Sequence, residues 1–155
     1  MSLSQSNSTK PIPKRNQIST SEGLLPGDII LLWRVHFGTF LTNSVYPKYF
    51  ESTYGINGPR HLANLIKAGY VAIDSARDSL KHLNMTQLKT LLTEVGAKYS
   101  SSIKRAELDQ LVNAHFTDHQ LDELVPVRGY RLTEKGEKTL SNNQAIVDRH
   151  PQKKF

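Results

Sequence analysis

Apolar side chains recur at helical spacing near the start of the chain. The pattern begins at Pro26, which suits the first turn of a helix, and it stops at Gly38, a residue type that ends helices. The apolar positions in between are Ile29, Ile30, Leu32, Trp33 and Phe37. Their roughly helical spacing predicts a first helix with an apolar face.

Two further helices and a strand are predicted next. A short helix is expected over 47–54, and either Asn57 or Gly58 is placed to cap a third helix that begins at Pro59. The apolar stripe of this third helix is Leu62, Leu65 and Ile66. The β-branched and aromatic residues 70–73 then predict a strand. Three short helices followed by a strand indicate a helix-turn-helix core with the start of a β wing.

Two helices in the second half are marked by their caps. Asn84 and Gln87 have the spacing of a capping box, and Gly96 stops the helix that follows. The apolar stripe of that helix is Leu88, Leu91, Leu92 and Val95. A polar extended link runs over 98–102, and Ser102 is expected to cap the next helix. The stripe of this next helix is Leu108, Leu111 and Val112.

The last predicted elements are short. A capping box that begins at Thr117 predicts a short helix ending near Leu124. Residues 128–132 predict a second strand, and residues 133–136 predict a turn. A final helix is expected over 137–142.

The composition bounds the class of protein. The 155 residues fit one domain or two small ones, and 37% hydrophobic residues suffice for a modest core. The chain has no cysteine, which excludes disulfides, thiolate catalysis and cysteine-ligated zinc. A cysteine-free chain suits an intracellular compartment.

No segment has the pattern of a membrane span or of a signal peptide. A spanning helix needs roughly 20 apolar residues, whereas the apolar stretch 29–33 is interrupted by Arg34 and His36. Residues 1–9 are rich in Ser, Asn and Gln, and no apolar block follows Lys10. We therefore expect a cytoplasmic protein.

Charge is segregated along the chain. The net charge of +6 favours polyanions without naming one. Residues 113–127 contain three acidic side chains and no Lys or Arg, whereas residues 128–155 contain seven basic and three acidic side chains. Segregation of this kind gives a protein a basic side, which matters more for nucleic-acid binding than the total charge.

Two segments of the second half carry a motif. They read Leu83-Asn-Met-Thr-Gln-Leu-Lys-Thr-Leu-Leu-Thr-Glu-Val-Gly96 and Ser102-Ile-Lys-Arg-Ala-Glu-Leu108. Together they resemble the SAP domain, a helix–extended–helix module. Its pattern is a threonine-containing cap, Glu/Gln-Leu-Lys, a leucine pair, glycine, a polar linker and Lys-Ala-Glu-Leu. Ile103 departs from this pattern, because the family usually has glycine before the basic pair.

The SAP resemblance implies double-stranded DNA as the partner, often with a preference for AT-rich duplex shape. The residues that would face phosphate are Lys89, Lys98, Ser101, Ser102, Lys104 and Arg105. Hydroxyl and backbone N–H groups at the start of a helix form an anion site, and nearby cations add to it. The alternative is a two-helix packing element whose lysines only keep it soluble.

The flanking segments carry a second resemblance. Residues 60–71 are similar to the recognition helix and first wing strand of winged-helix proteins, and residues 129–136 are similar to the returning strand. Because the SAP-like segment lies between them, we hypothesise that it is inserted at the wing, with strand 70–73 paired to strand 128–132. The predicted fold is mainly α with a small antiparallel β wing: a winged-helix-like core with an inserted SAP-type helix–extended–helix hairpin.

This hypothesis divides the chain into tails, core and module. The parts are a disordered N-terminal tail over 1–23, a winged-helix-like core over 24–79 and 125–142, an SAP-like helical module over 80–124, and a polar basic tail over 143–155. The tails are assigned from their polar composition.

The winged-helix resemblance also implies a face that reads DNA. Residues on or just before the outward face of the predicted recognition helix are Asn57, Arg60, His61, Asn64 and Lys67. Arg and Asn are the usual readers of guanine and adenine edges in the major groove. The alternative is that these are ordinary solvent-facing residues around a Leu/Ile stripe.

Other candidate chemistry is weaker. His115, His119 and Asp122 are spaced so that a metal could sit between them, but they lack the His-Glu-x-x-His pattern, and we predict no metal site. An aromatic group suits base stacking or core packing, and its helical spacing favours packing. It consists of Tyr46, Tyr49, Phe50 and Tyr54.

No pattern of an enzyme is found. The sequence has no Gly-rich phosphate loop, nucleophile elbow or motif-placed carboxylate pair, so we expect neither catalysis nor a cofactor. The expected function is non-catalytic binding of double-stranded DNA. The alternative is a protein-interaction adaptor, and a homodimer or a protein partner stays open. The arrangement looks like that of proteins from Gram-positive bacteria and their phages, which suggests a regulatory or phage-encoded role.

Overall fold

The computed structural model describes residues 11–151, and the chain divides into two compact units. The described parts of the first unit are residues 11–40, 44–72 and 131–151. Those of the second unit are Leu41–Asn43 and Ile73–Tyr130. The second unit includes the whole predicted module over 80–124 and extends beyond it at both ends.

Short helices dominate both units. The elements are α1 (Pro26–His36), α2 (Tyr49–Ser52), α3 (Gly58–Lys67), β1 (Val71–Ile73), α4 (Ala76–Ser79), α5 (Met85–Glu94), α6 (Arg105–His115), α7 (Asp118–Leu124), β2 (Tyr130–Leu132), α8 (Glu134–Asn142) and α9 (Gln144–Asp148). Short 3₁₀ helices lie at Lys14–Gln17 and Leu80–His82. The chain is mainly helical with a small antiparallel sheet, as the sequence predicts.

The two strands pair with each other. β1 and β2 form a two-stranded antiparallel sheet. Beside it, the backbone N–H of Thr133 donates to the carbonyl oxygen of Tyr70 at 3.0 Å. The predicted pairing of strands 70–73 and 128–132 is confirmed, although each strand is trimmed to three residues. Residues 74–129 lie in the chain between the paired strands.

Helix α1 is the centre of the first unit. Pro26 occupies its first turn, and the carboxylate of Asp28 accepts a hydrogen bond from the backbone N–H of Leu25 at 2.9 Å. This satisfies a donor that a helix start leaves open. Helices α3, α8 and α9 pack against α1, which explains why it is buried on more than the one face that its spacing predicts. Its fully buried side chains are Ile29, Ile30, Leu31 and Leu32.

Helix α3 has the predicted ends. The side chain of Asn57 accepts a hydrogen bond from the backbone N–H of Arg60 at 3.0 Å and so caps the helix. Leu62 and Leu65 are buried on one face of the helix. Gly69 follows its last turn at a φ of +87°, a conformation that glycine adopts without steric cost. The local signals in this segment therefore predict its structure well.

The start of the described chain differs from the predicted disordered tail over 1–23. Lys14–Gln17 forms a 3₁₀ turn. Asn16 is buried within it, and its amide donates to the carbonyl oxygen of Thr53 at 2.9 Å. This tertiary contact orders a segment whose composition is polar. The rest of the predicted tail, residues 1–10, lies outside the described residues.

The end of the described chain differs from the predicted polar tail over 143–155. Helix α9 forms there and packs on α1, burying Ile146 and Val147. Two adjacent apolar side chains are enough to dock this short helix, although the average composition around them is polar. Residues 152–155 lie outside the described residues.

The second unit has a core of its own. Helices α5 and α6 pack against each other, and α4 packs against α7. The buried residues of this core are Ala76, Leu80, Leu88, Leu91, Leu92, Leu108, Val112, Phe116, Leu121 and Val125. The apolar stripes predicted for the two main helices therefore face each other, except that Val95 is 46% exposed.

Hydrogen bonds of Gly129 join the end of this unit's chain to its beginning. The N–H of Asp74 donates to the carbonyl oxygen of Gly129 at 2.9 Å, and the N–H of Gly129 donates to Oγ of Ser79 at 3.0 Å. Leu41 forms an antiparallel bridge with Gly129. No helix within residues 11–151 has the length and apolar content to cross a membrane.

Candidate nucleic-acid interface

The hairpin formed by α5 and α6 begins with the predicted capping box. Oδ1 of Asn84 accepts from the backbone N–H of Gln87, and Oε1 of Gln87 accepts from the backbone N–H of Asn84, both at 2.8 Å. Two open donors of the helix start are satisfied in this way. Gly96 follows the last turn at a φ of +74°. The local structure of α5 thus has the features that the motif predicts.

Helix α6 begins later than predicted. Its cap is at Lys104, whose backbone N–H donates to the carboxylate of Glu107 at 3.3 Å. The predicted cap at Ser102 is wrong, because its hydroxyl is hydrogen-bonded to that of Ser100 at 3.0 Å. The segment between α5 and α6, residues 95–104, is called the linker below.

Most of the predicted phosphate-facing residues lie on the surface of the linker. Lys98, Ser101, Ser102 and Lys104 are all exposed. Lys89 lies on α5 and is half-buried, with Nζ 5.9 Å from the centre of the Tyr99 ring. That ring belongs to the linker as well, so Lys89 and the linker are neighbours. The structure therefore brings these three lysines and two hydroxyls together on one part of the hairpin.

Arg105 has a different position from the rest of the predicted set. Its Nη1 donates to the carbonyl oxygen of Leu83 at 2.7 Å, and its Nη2 donates to that of Leu80 at 3.3 Å. Its Nε donates to the carboxylate of Asp109 at 2.9 Å. All three guanidinium nitrogens are therefore used within the unit. An acidic residue four positions further along the helix is the sequence signal for such pairing.

The charges of the second unit are almost balanced. It contains seven Lys and Arg against eight Asp and Glu. Its arginines form ion pairs, which are Arg77–Asp118, Arg105–Asp109 and Arg128–Asp122. Within residues 11–151, no carboxylate lies at ion-pair distance from its lysines, Lys81, Lys89, Lys98 and Lys104. Three of these four lysines lie on or next to the linker, whose two flanking helices also carry Glu94 and Glu107.

The outward face of α3 carries three of the residues predicted to read DNA. Arg60, Asn64 and Lys67 are exposed and follow one another at i, i+4 and i+7, opposite the buried Leu62 and Leu65. Side chains at this spacing lie on one face of a helix. The described part of the first unit holds ten Lys and Arg against six Asp and Glu, so its net charge is positive.

The other two predicted residues of α3 serve the fold. Asn57 caps the helix, as described above. His61 is half-buried, and its Nδ1 is 2.7 Å from Oδ1 of the buried Asp28, the residue that caps α1. This contact joins the first turns of α1 and α3. Both side chains therefore hold α3 in place, through Oδ1 of Asn57 and Nδ1 of His61.

A lysine that sequence reasoning missed holds the other end of α3. Nζ of Lys135 donates to the carbonyl oxygen of Ala68 at 2.9 Å and lies 4.3 Å from the centre of the Tyr70 ring. Ala68 is the C-cap of α3, where carbonyl groups lack helical partners. A cation in this place also interacts favourably with the helix dipole. The resemblance of residues 129–136 to a wing strand is the signal that could have directed attention to it.

The two histidines considered as metal ligands, His115 and His119, each form a contact within the structure. His119 is 2.9 Å from Glu123, and the ring of His115 hydrogen-bonds to the carbonyl oxygen of Leu111, so each histidine contacts its own helix. Within the described residues, no group of three or more His, Asp or Glu side chains is arranged to hold a metal.

The aromatic group belongs to the core of the first unit. Phe50 is 1% exposed and Tyr54 is 3% exposed, which confirms the packing interpretation. The helix among these residues, α2, is shorter than the predicted helix over 47–54. Tyr46 and Tyr49 are half-buried beside them.

We also compared the chain with known proteins. No protein-family model, curated protein or solved structure matches it.

Proposed function

We propose that the chain is a non-catalytic protein that binds double-stranded DNA. In this proposal the second unit is an SAP-type module inserted at the wing of a winged-helix-like first unit. The observation that carries the proposal is the surface of the linker. There, Lys98, Lys104 and two serine hydroxyls are exposed together, and the arginines of the same unit are neutralised by carboxylates.

The linker has the chemistry that phosphate requires. Lysine side chains supply charge and displace counterions, and hydroxyl and backbone N–H groups donate hydrogen bonds to phosphate oxygens. Lys104 stands at the N-terminus of α6, where the helix dipole also favours an anion. Because Arg105 is bound to Leu83, Leu80 and Asp109, we assign no phosphate contact to it.

The outward face of α3 is the proposed source of sequence preference. Arg60 and Asn64 have the side chains that read guanine and adenine edges, and Lys67 adds a phosphate contact. This assignment leaves out Asn57 and His61, whose side chains hold the helix itself. The positive net charge of the first unit favours the approach of a polyanion.

A binding titration tests the proposal. Labelled random-sequence and AT-rich duplexes are titrated with the full chain by fluorescence anisotropy, at salt concentrations between about 50 and 200 mM. The proposal predicts binding at low salt that weakens steeply as salt rises, because lysine–phosphate contacts release counterions. If the chain bound neither of the two duplexes at the lowest salt concentration, the proposal would be contradicted.

One observation favours the adaptor alternative. A groove of about 360 Å³ lies on the second unit between α5 and residues 124–127, and its lining includes Leu83, Leu91 and Val125. Exposed Leu124 is also at this groove. Apolar contacts depend little on salt, so binding of a protein partner would persist at salt concentrations that dissociate DNA.

A further inference from the structure

The ring of His150 lies among three aromatic side chains of the first unit. The ring centres of Trp33 and Tyr49 are 5.3 Å and 4.7 Å from it, both edge-on, and the Tyr54 ring is stacked with it at 5.5 Å. The Tyr54 hydroxyl hydrogen-bonds with Nδ1 of His150. Trp33, Tyr49 and Tyr54 are called the aromatic box below.

His150 ends a segment that packs on α1. The histidine is 6% exposed, and Ile146 and Val147 of α9, four and three residues before it, are buried as well. The guanidinium of Arg149 donates to the carbonyl oxygen of Arg15 at 3.4 Å. Insertion of the imidazole into the box, together with these two apolar side chains, therefore holds residues 144–150 against the unit.

The surroundings of the ring disfavour a positive charge. Burial lowers the pKa of His150 from its ordinary value of 6.5. Three positively charged side chains lie near the box, and each favours a lower pKa of one of its tyrosines. They are Arg34 of α1, which affects Tyr49, and Arg149 after α9 and Arg15 of the first 3₁₀ turn, which affect Tyr54. The nearest carboxylate in sequence, Asp148, accepts a hydrogen bond from Gln144 at 2.9 Å.

The two tyrosines of the box keep their protons near neutral pH. Burial first, and the neighbouring Tyr49 second, raise the pKa of Tyr54 to about 12, so its phenol keeps its proton. Burial raises the pKa of Tyr49 as well. One turn further along α1 from Trp33, the ring of His36 is 3.1 Å from the carboxylate of Glu137 of α8, and Trp33, His36 and Glu137 line one pocket.

We propose that His150 is a pH-sensitive latch, which docks residues 144–150 on α1 while its ring is neutral and releases them on acidification. The latch is a change of structure within the first unit, and it does not depend on DNA binding. Release would expose the aromatic box and the face of α1 that α9 covers.

The sign of the effect follows from the direction of the pKa shift. When residues 144–150 are undocked, His150 has its ordinary pKa. The docked ring has a lower pKa, so it takes up a proton only at a lower pH. Docking is therefore fully stable above about pH 6.5 and weakens as the pH falls below it. The docking constant drops by up to roughly tenfold per pH unit until the docked ring itself is protonated.

The experiment uses Trp33, the only tryptophan of the chain, as the reporter. Its emission is followed from pH 8 to pH 4.5 in the full chain, and hydrogen exchange of residues 144–150 is measured at both ends of that range, corrected for the intrinsic rate. His150→Phe keeps an aromatic ring in the box without a titratable group. His36→Gln is the matched control, because His36 is the other histidine near Trp33.

The latch predicts a reversible change of Trp33 emission below pH 6.5 and a loss of exchange protection in residues 144–150. His36→Gln should keep both effects, and His150→Phe should abolish both while far-UV circular dichroism stays unchanged. Unchanged protection of residues 144–150 in the wild-type chain at low pH would overturn the proposal. So would an identical pH profile in His150→Phe, since another group would then be responsible.

Discussion

Nη1 of Arg105 donates a hydrogen bond to the carbonyl oxygen of Leu83 at 2.7 Å, and this contact spans 22 residues of the chain. It ties the first residue of α6 to the turn before α5, so it closes the hairpin from inside. Lys104, the residue just before it in the sequence, is exposed, and no carboxylate within residues 11–151 lies at ion-pair distance from it. Two adjacent basic residues therefore have different surroundings, one bound within the unit and the other open to solvent.

Replacing these two residues one at a time should separate stability from DNA binding. Arg105→Gln should lower the free energy of unfolding by about 1–2 kcal/mol, because it removes charged hydrogen bonds to two carbonyl groups. Lys104→Gln should leave the stability almost unchanged and reduce the salt dependence of DNA binding by about one phosphate contact. Urea unfolding and anisotropy titrations measure both effects.

The reverse result for this pair would contradict the assignment. If Arg105→Gln weakened DNA binding more than Lys104→Gln did, at equal fractions folded, the guanidinium would contact phosphate in the complex. It would then have to leave Leu83 and Asp109 on binding.

The outward face of α3 gives a prediction about specificity. Arg60→Ala and Asn64→Ala should each cost about 1–3 kcal/mol of binding to a preferred sequence selected from a random duplex pool, because each removes contacts to a base edge. Binding to unrelated duplexes should change less. Lys14→Ala is the control, since Lys14 is an exposed basic residue on another element of the same unit. Equal losses on all duplexes would mean that the face contacts phosphate only.

The cap of α3 gives a prediction about stability. Asn57→Ala should lower the free energy of unfolding by about 1 kcal/mol, because the backbone N–H of Arg60 loses its acceptor. Asn57→Asp keeps a side-chain oxygen in the same place and should retain most of the stability. Thermal unfolding of the three proteins measures the difference, and equal stability of the Ala variant would show that the cap contributes nothing.

A close approach of two backbones gives a steric prediction. A Cβ atom on Gly136 would lie 2.1 Å from the carbonyl oxygen of Tyr70, so the start of α8 must shift to admit it. Gly136→Ala should therefore destabilise the chain by about 3 kcal/mol. Replacement of glycine by alanine in an open helix has the opposite sign. Lys138→Ala, an exposed change on the same helix, should have little effect on the same unfolding curve.

The helix ends that the sequence predicts correctly are those that depend on hydrogen bonds between residues close together in the sequence. Asn84 and Thr117 cap the helices they were expected to cap, and of the two candidates for α3 the cap is Asn57, because each cap needs only a donor two or three residues away. The pairing of β1 and β2 was predicted from a resemblance of the segments that contain them, although 56 residues separate the two strands.

What the sequence does not predict depends on distant partners. The carbonyl groups that accept hydrogen bonds from Arg105 belong to residues more than 20 positions earlier. They are backbone groups, so no side-chain pattern in the sequence predicts this contact. The 3₁₀ turn around Asn16 is held by the hydrogen bond to the carbonyl oxygen of Thr53, and α9 is held by its packing against α1. The candidate site was therefore predicted from residue types alone, whereas the contacts were needed to recognise which of its residues have a structural role.

The salt dependence of one variant tests the central claim most directly. Lys89, Lys98 and Lys104 are replaced together by glutamine, and the binding constant for a random duplex is measured against salt for this variant and for the wild-type chain. The account predicts that the slope of log K against log salt becomes shallower by about 0.9 for each lysine that contacts phosphate, with the fold unchanged by circular dichroism. Identical slopes for the two proteins would contradict it.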